Sequence, residues 1–194
     1  LRVIAGENRG RALKTVSGRM TRPTTDKVKE SLFNMIGPYF NEGSVLDLYG
    51  GSGGLGIEAL SRGADSAVFV DRAAAACRII SENVVHCGYS DRSRIYRLDA
   101  LMALEKLAEN GYTFDYIFLD PPYAKEHLVQ DIERLLSRNL LNHQASIIAE
   151  HDVQVSLPES FGEALNVWKH RTYQGRTAIT IYQFKKDNQG SDSL

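Results

Sequence analysis

At 194 residues the chain has room for one ordinary domain and a small appendage. Its 43% hydrophobic and 24% charged residues belong to a globular protein with a core, which excludes a disordered or fibrous chain. No apolar run approaches the roughly 20 residues of a membrane span. Leu1-Arg2-Val3-Ile4 lacks a charged-then-apolar leader pattern, so a cytoplasmic protein is the expectation. Cys77 and Cys87 fall on one predicted helix and read as reduced thiols.

The net charge of −1 conceals an asymmetry. Residues 1–30 carry Arg2, Arg9, Arg11, Lys14, Arg19, Arg22, Lys27 and Lys29 against Glu7, Asp26 and Glu30. A basic arm facing a polyanion and an ordinary solvated surface both fit that composition.

In chain order, Arg2-Val3-Ile4 and Ala12-Leu13-Lys14 read as a short β-hairpin with a basic tip, followed by a loop to Pro23. A helix from about Thr25 aligns Val28, Leu32, Met35 and Ile36 on one face, and Gly37-Pro38 stops it. Strand and helix then alternate. The expected strands are Val45-Leu46-Asp47-Leu48, Ala67-Val68-Phe69-Val70-Asp71, Ile95-Tyr96-Arg97-Leu98, Tyr116-Ile117-Phe118-Leu119-Asp120 and Ser146-Ile147-Ile148-Ala149-Glu150. That alternation predicts a parallel sheet covered by helices on both faces. Residues 164–173 and 177–182, around Gln174-Gly175-Arg176, predict a closing antiparallel hairpin. The expected fold class is therefore a doubly wound α/β sheet of the class I methyltransferase type, reached by analogy of architecture. Residues 1–40 are expected as a basic extension, 41–184 as the main domain and 185–194 as a frayed tail.

The first strand-to-helix turn runs Asp47-Leu48-Tyr49-Gly50-Gly51-Ser52-Gly53-Gly54-Leu55-Gly56. Gly51, Gly53 and Gly56 satisfy the dinucleotide spacing, and Asp71-Arg72 ends the second strand, so an NAD-binding oxidoreductase is a rival reading. Asp47 separates the two. A carboxylate ahead of the glycines repels a pyrophosphate but suits the ammonium and sulfonium of S-adenosyl-L-methionine. Asp99-Ala100 follows the third strand, where a place beside the adenine and a helix N-cap at Asp99 are both open.

Asp120-Pro121-Pro122-Tyr123 ends the fourth strand, facing the same crevice in a doubly wound sheet. An exocyclic base amine is a poor nucleophile because its lone pair is delocalised into the ring. A carboxylate at Asp120 and a carbonyl fixed at Pro121 can accept its N–H bonds and aim the lone pair. Tyr123 can stack on an unpaired or flipped base. A turn merely capped by Asp120 and propped by Pro121 and Pro122 is the plainer alternative. His86, His127, His143, His151 and His170 have no ligand spacing, so no metal is expected.

These residues resemble a known group. Asp120-Pro121-Pro122-Tyr123 is similar to the motif of amino methyltransferases that act on DNA or RNA adenine N6 or guanine N2, and does not choose the base. Residues 2–6, Arg9-Gly10-Arg11 and the run from Arg22-Pro23-Thr24-Thr25 to Asn34 closely resemble the RsmD family, bacterial 16S rRNA (guanine-N2)-methyltransferases. Residues 52–64 and Tyr173-Gln174-Gly175-Arg176-Thr177 agree with it. Tyr49-Gly50-Gly51 departs from the family's usual Phe-Ala-Gly, and Tyr123 is often Phe. The resemblance implies a guanine of small-subunit rRNA as substrate, presented in an assembling particle. It also implies that the segment before the first strand closes over the cofactor, where Thr24 and Thr25 bond the methionine end or cap the helix. Arg9, Arg11, Lys14, Arg19 and Arg22 are expected on RNA phosphates, with Lys169, Arg171 and Arg176 as the next candidates. A catalytically silent RNA-binding module is the contrasting class, and an intact Asp120 and glycine turn argue against it.

Overall fold

A computed structural model describes residues 1–17, 25–122 and 124–186. Helix α1 spans Asp26–Ile36, strand β1 Ser44–Asp47, α2 Gly54–Ser61, β2 Ser66–Asp71, α3 Ala74–His86 and β3 Ser93–Arg97. After them come α4 Ala100–Glu109, β4 Phe114–Leu119, α5 Ala124–Ser137, β5 Leu141–Asp152, β6 Ser160–Phe161, β7 Leu165–Tyr173 and β8 Thr177–Phe184.

The eight strands form one sheet in the order β3-β2-β1-β4-β5-β8-β7-β6. β1 to β5 pair in parallel, and β8, β7 and β6 join antiparallel, as the alternation and the closing hairpin predict. From β1 the chain winds outward through β2 to β3, then returns to β4 on β1's other side. That reversal opens a crevice beyond the carboxyl ends of β1 and β4.

Both faces of the sheet are covered, so its central strands are continuous apolar runs whose alternate residues enter two cores. Val45, Phe69, Phe118, Ile148, Ile179 and Ile181 pack under α1, α2 and α3. Leu46, Val68, Ile117, Leu119, Ile147 and Tyr182 pack under α4 and α5. α1 begins where Thr25 Oγ1 accepts the Val28 N–H, and it seats Leu32 and Phe33 fully in the first core. Each such burial contributes about 1.5–3 kcal/mol.

The amino-terminal segment is less regular than the predicted hairpin. Its ladder is a single bridge between Arg2 and Ala12, extended by backbone bonds from Val3 N to Arg11 O and from Leu13 N to Leu1 O. Several of its fixings lie in α2. Buried Glu58 accepts the Ile4 N–H with both carboxylate oxygens, 3.1 and 3.0 Å, and also pairs with Arg62. Gly6 has φ +87°, and a Cβ there would collide with the Ser61 carbonyl. Val3 and Leu13 share the first core with Leu32 and Phe33. The last core strand is longer than the apolar run 146–150, because β5 starts at Leu141, and β6 was not expected. Cys77 and Cys87 are free thiols.

Candidate active site

Four carboxylates stand at or just past the ends of four neighbouring strands: Asp99 after β3, Asp71 on β2, Asp47 on β1 and Asp120 after β4. They border a cavity of about 560 Å³. Gly50, Gly51, Arg72, Ala100 and Pro122 are also in its wall. Pro121 is buried, between the two lining residues Asp120 and Pro122. Gly53 lies outside the lining and shapes the turn instead, donating to the Gly50 carbonyl at 2.8 Å with φ +82°. Thr25 caps α1 and does not line the cavity. Thr24, Tyr123, Arg19 and Arg22 lie outside the described residues.

The glycines let the turn pack closely within the protein. A Cβ on Gly50 would stand 2.8 Å from Ile80 Cδ1 of α3, and one on Gly56 would strike the Phe69 ring, so α2 lies tight on the sheet. Gly51 has φ +59°, a region open to glycine at low cost. Asp71 organises this turn by accepting Gly51 N at 3.0 Å and Ala73 N at 2.9 Å. Asp99 accepts the Leu101 N–H at 3.0 Å, so the N-cap role holds while Asp99 also lines the cavity.

Asp47 is buried, and its Oδ2 accepts the Gly56 N–H at 3.1 Å. Burial raises its pKa to about 7; the Gly56 bond opposes this and the nearby Asp71 charge adds to it. Asp120 stays reachable from the cavity but is walled by protein on its other sides. Lost hydration, then Glu150, then Asp47 push its carboxyl well above the usual range.

Several wall residues were not singled out from the sequence. His127, Gln130 and Asp131 project from α5, and Tyr49 OH donates to Asp131 Oδ2 at 2.6 Å. Burial lifts Asp131 to about 6, against the Tyr49 bond. Lys29 reaches the wall from α1, almost wholly buried, and donates to the Arg2 carbonyl at 2.6 Å. The cavity thus carries Asp47, Asp71, Asp99, Asp120 and Asp131 against Lys29 and Arg72. It is electronegative and fits a cationic ligand better than a pyrophosphate. Among the described residues no cluster of side chains could hold a metal ion, and no helix is long and apolar enough to cross a membrane.

The basic arm is more engaged than its sequence suggests. Lys14 pairs with Glu82 at 2.8 Å, and Arg11 donates to the His86 carbonyl at 2.6 Å. Arg9 stays exposed at the tip, and Thr15 and Val16 run on into the cavity wall.

A doubly wound sheet with a carboxyl-terminal antiparallel addition and a glycine turn facing an Asp-Pro-Pro strand end defines a class I methyltransferase fold. A family model described as "Conserved hypothetical protein 95" matches residues 1–183. A Bacillus subtilis relative, provisionally named an rRNA methyltransferase, is 47% identical over 94% of this chain and 98% of its own. "Ribosomal RNA small subunit methyltransferase D" of Escherichia coli is 34% identical over 94% of this chain and 89% of its own. A solved Escherichia coli structure, titled provisionally as a methyltransferase, superposes with TM-score 0.84 at 29% identity, covering 96% and 98% of the two chains. The chain belongs to this family, the RsmD family that its motifs resemble.

Proposed function

We propose that the protein transfers a methyl group from S-adenosyl-L-methionine to the exocyclic N2 amine of a guanine in 16S rRNA. The substrate is an assembling small ribosomal subunit, and with it goes a cytoplasmic location. The observation that carries this reading is that Asp120 and Pro122 share one electronegative cavity with Gly50, Gly51 and Asp71. Donor and acceptor groups can therefore meet within a single space. The relatives' names support rRNA as the acceptor.

When bound, S-adenosyl-L-methionine supplies an already activated methyl group on a sulfonium centre. The residues present fit it. Gly50 and Gly51 would present backbone to it, Asp71 with Arg72 would hold the ribose side, and Asp99 with Ala100 would flank the adenine. Asp47 would face the cationic end.

The Asp120 carboxylate and the Pro121 carbonyl accept the two N–H bonds of the guanine amine. That directs the nitrogen lone pair along the line of displacement. Displacement would break the methyl–sulfur bond as the N–C bond forms, leaving the neutral thioether S-adenosylhomocysteine, and the alkylated amine would pass one proton to Asp120 Oδ. Its raised proton affinity, imposed by burial and by Glu150, suits that role. Tyr123 would stack on the base.

Isothermal titration of S-adenosylhomocysteine, combined with single-turnover methylation of undermodified particles, tests the assignment. Asp120→Ala should keep the wild-type affinity for the nucleoside and lose most turnover. Wild-type turnover in that variant would remove Asp120 from the reaction.

A further inference from the structure

β7 is an edge strand over most of its length. Its partner β6 pairs only Phe161 with Leu165 and Ser160 with Asn166, so residues 168–173 have β8 on one side and, among the described residues, no strand on the other. Side chains along β7 alternate between the two faces of the sheet. Lys169 and Arg171 stand opposite Ile181 and Ile179, whose side chains belong to the core under α1. The two cations therefore emerge beside α1. A register shift between Val167 and Lys169 falls at Trp168, which is 44% exposed, and the Lys169 ammonium lies 4.1 Å from the centre of its ring.

Between α1 and β7 lies an open groove of about 380 Å³, bordered by Lys27, Ser31, Asn34, Lys169, Arg171 and a single carboxylate, Glu30. Many other exposed cations have acidic partners: Arg2 with Asp26, Lys14 with Glu82, Arg134 and Arg138 with Glu105, and Arg176 with Asp152. Among the described residues Lys27, Lys169 and Arg171 pair with no carboxylate. Arg171 donates to Ser31 Oγ at 3.1 Å, and Lys169, besides its place over the Trp168 ring, reaches the Met35 carbonyl at 3.5 Å. α1 also connects the groove to the active site, because Lys29 on the same helix lines the methyl-transfer cavity. Tyr173 at the end of β7 bonds Ser31 at 2.7 Å, at the end of the sheet where β4 and β5 also finish.

We propose that the groove between α1 and β7 is a docking surface for the RNA backbone, with Lys27, Lys169 and Arg171 on phosphates and Trp168 under an unpaired base. It rests on the rRNA methyltransferase reading and names where a strand lies while its target base is in the cavity. The surface differs from Lys14 of the amino-terminal arm in that, among the described residues, none of its cations is paired with a carboxylate. Arg176, expected with this hairpin from the sequence, drops out because it is tied to Asp152.

The test is equilibrium binding of an unmodified 16S rRNA transcript across a salt series. The variants are a triple Lys27→Ala, Lys169→Ala, Arg171→Ala, a single Trp168→Ala, and a control triple Arg94→Ala, Arg134→Ala, Arg138→Ala that removes equal charge elsewhere. Removing one cation from a phosphate makes the log–log salt slope shallower by about 0.7–0.9. The groove triple should therefore lose about two units of slope, and the control should keep the wild-type slope. Trp168→Ala should weaken binding roughly 5- to 150-fold without changing the slope, as the loss of stacking does. Titration of S-adenosylhomocysteine should be the same in all variants.

Wild-type RNA affinity and slope in the groove triple would overturn the proposal while leaving the methyltransferase reading intact. Equal losses in the two triples would overturn it too, since charge alone would then be responsible. If the groove variants bound naked rRNA normally and failed only on protein-containing particles, the surface would be a protein dock and the proposal wrong. Failure of the wild-type protein to bind the transcript or the particle would overturn both readings.

Discussion

Asp120, just past the end of β4, stands beside Glu150 of β5, each one residue beyond the Leu119–Ala149 pair. Two carboxylates so placed oppose each other's ionisation. After burial, the Glu150 charge is the largest cause of Asp120's raised pKa. Acceptance of the amine's N–H bonds requires ionised Asp120, so turnover should fall as pH drops through that raised value. Glu150→Gln removes the neighbouring charge, lowers the pKa of Asp120, and should move the acid limb of the pH–rate profile to lower pH. Identical acid limbs in the two proteins would show that Asp120 does not govern the limb.

Asp47 provides a second pH test, with two readouts. Its folded pKa of about 7 lies above the ordinary 3.8, so the native state binds the proton more tightly than the unfolded chain. That contribution to stability is fully present below about pH 4 and is lost as the pH rises to about 7. Asp47→Asn cannot ionise and should gain on the wild type through that window, with a ceiling of about 4 kcal/mol at about 1.36 kcal/mol per unit. Affinity for S-adenosyl-L-methionine should move the other way. It should rise in the wild type as Asp47 ionises near pH 7, and be weaker and flat with pH in Asp47→Asn. Thermal melts and titrations at pH 5 and pH 8 check both.

Much of this was legible. Buried strands read as apolar runs, and their alternation with helices, together with the glycine turn, locates the crevice in the sequence itself. Long-range pairing was not legible. Lys14 and Glu82 are 68 positions apart, and Tyr49 and Asp131 are 82 apart, so neither partnership leaves a local pattern. Lys29 sits beside Val28 on the buried side of α1, where periodicity gives no reason to bury a lysine. The Arg2 carbonyl it satisfies is known only once the chain has folded. The spacing of His127, Gln130 and Asp131 at i, i+3 and i+4 was visible as one helical face. Without the crevice, nothing distinguished it from a solvated surface.

Lys29 ties the amino-terminal segment to α1 beside the cavity, and Leu1 packs against Gly54. Lys29→Met keeps the bulk and removes the donor, leaving the Arg2 carbonyl without that partner. Amide exchange at Val3 and Leu13 should quicken, while the sheet amides of β1 and β4 keep their protection. Affinity for S-adenosylhomocysteine should fall by roughly tenfold, the scale of one hydrogen bond to a charged group. Unchanged exchange at Val3 and Leu13 would mean that the segment's other fixings, Glu58 on the Ile4 N–H and Asn83 on the Lys14 N–H among them, hold it without Lys29.

Binding measurements on the wild type and an Asp71 variant test the choice of cofactor. Asp71→Ala should weaken S-adenosyl-L-methionine by about 1.5–3 kcal/mol by removing charge-assisted hydrogen bonds. NAD should leave the wild-type melting temperature unchanged. Tighter binding of NAD than of S-adenosyl-L-methionine would restore the dinucleotide reading of the glycine turn.

The central claim is the identity of the acceptor atom. The most direct measurement incubates the protein and methyl-labelled S-adenosyl-L-methionine with undermodified small-subunit particles, digests the rRNA to nucleosides and assigns the label. The expected result is label in N2-methylguanosine at a single position of the rRNA, and none with Asp120→Ala. Label on the N6 amine of adenine, label transferred to DNA in preference to rRNA, or no transfer by a protein that binds both cofactor and particle would contradict it.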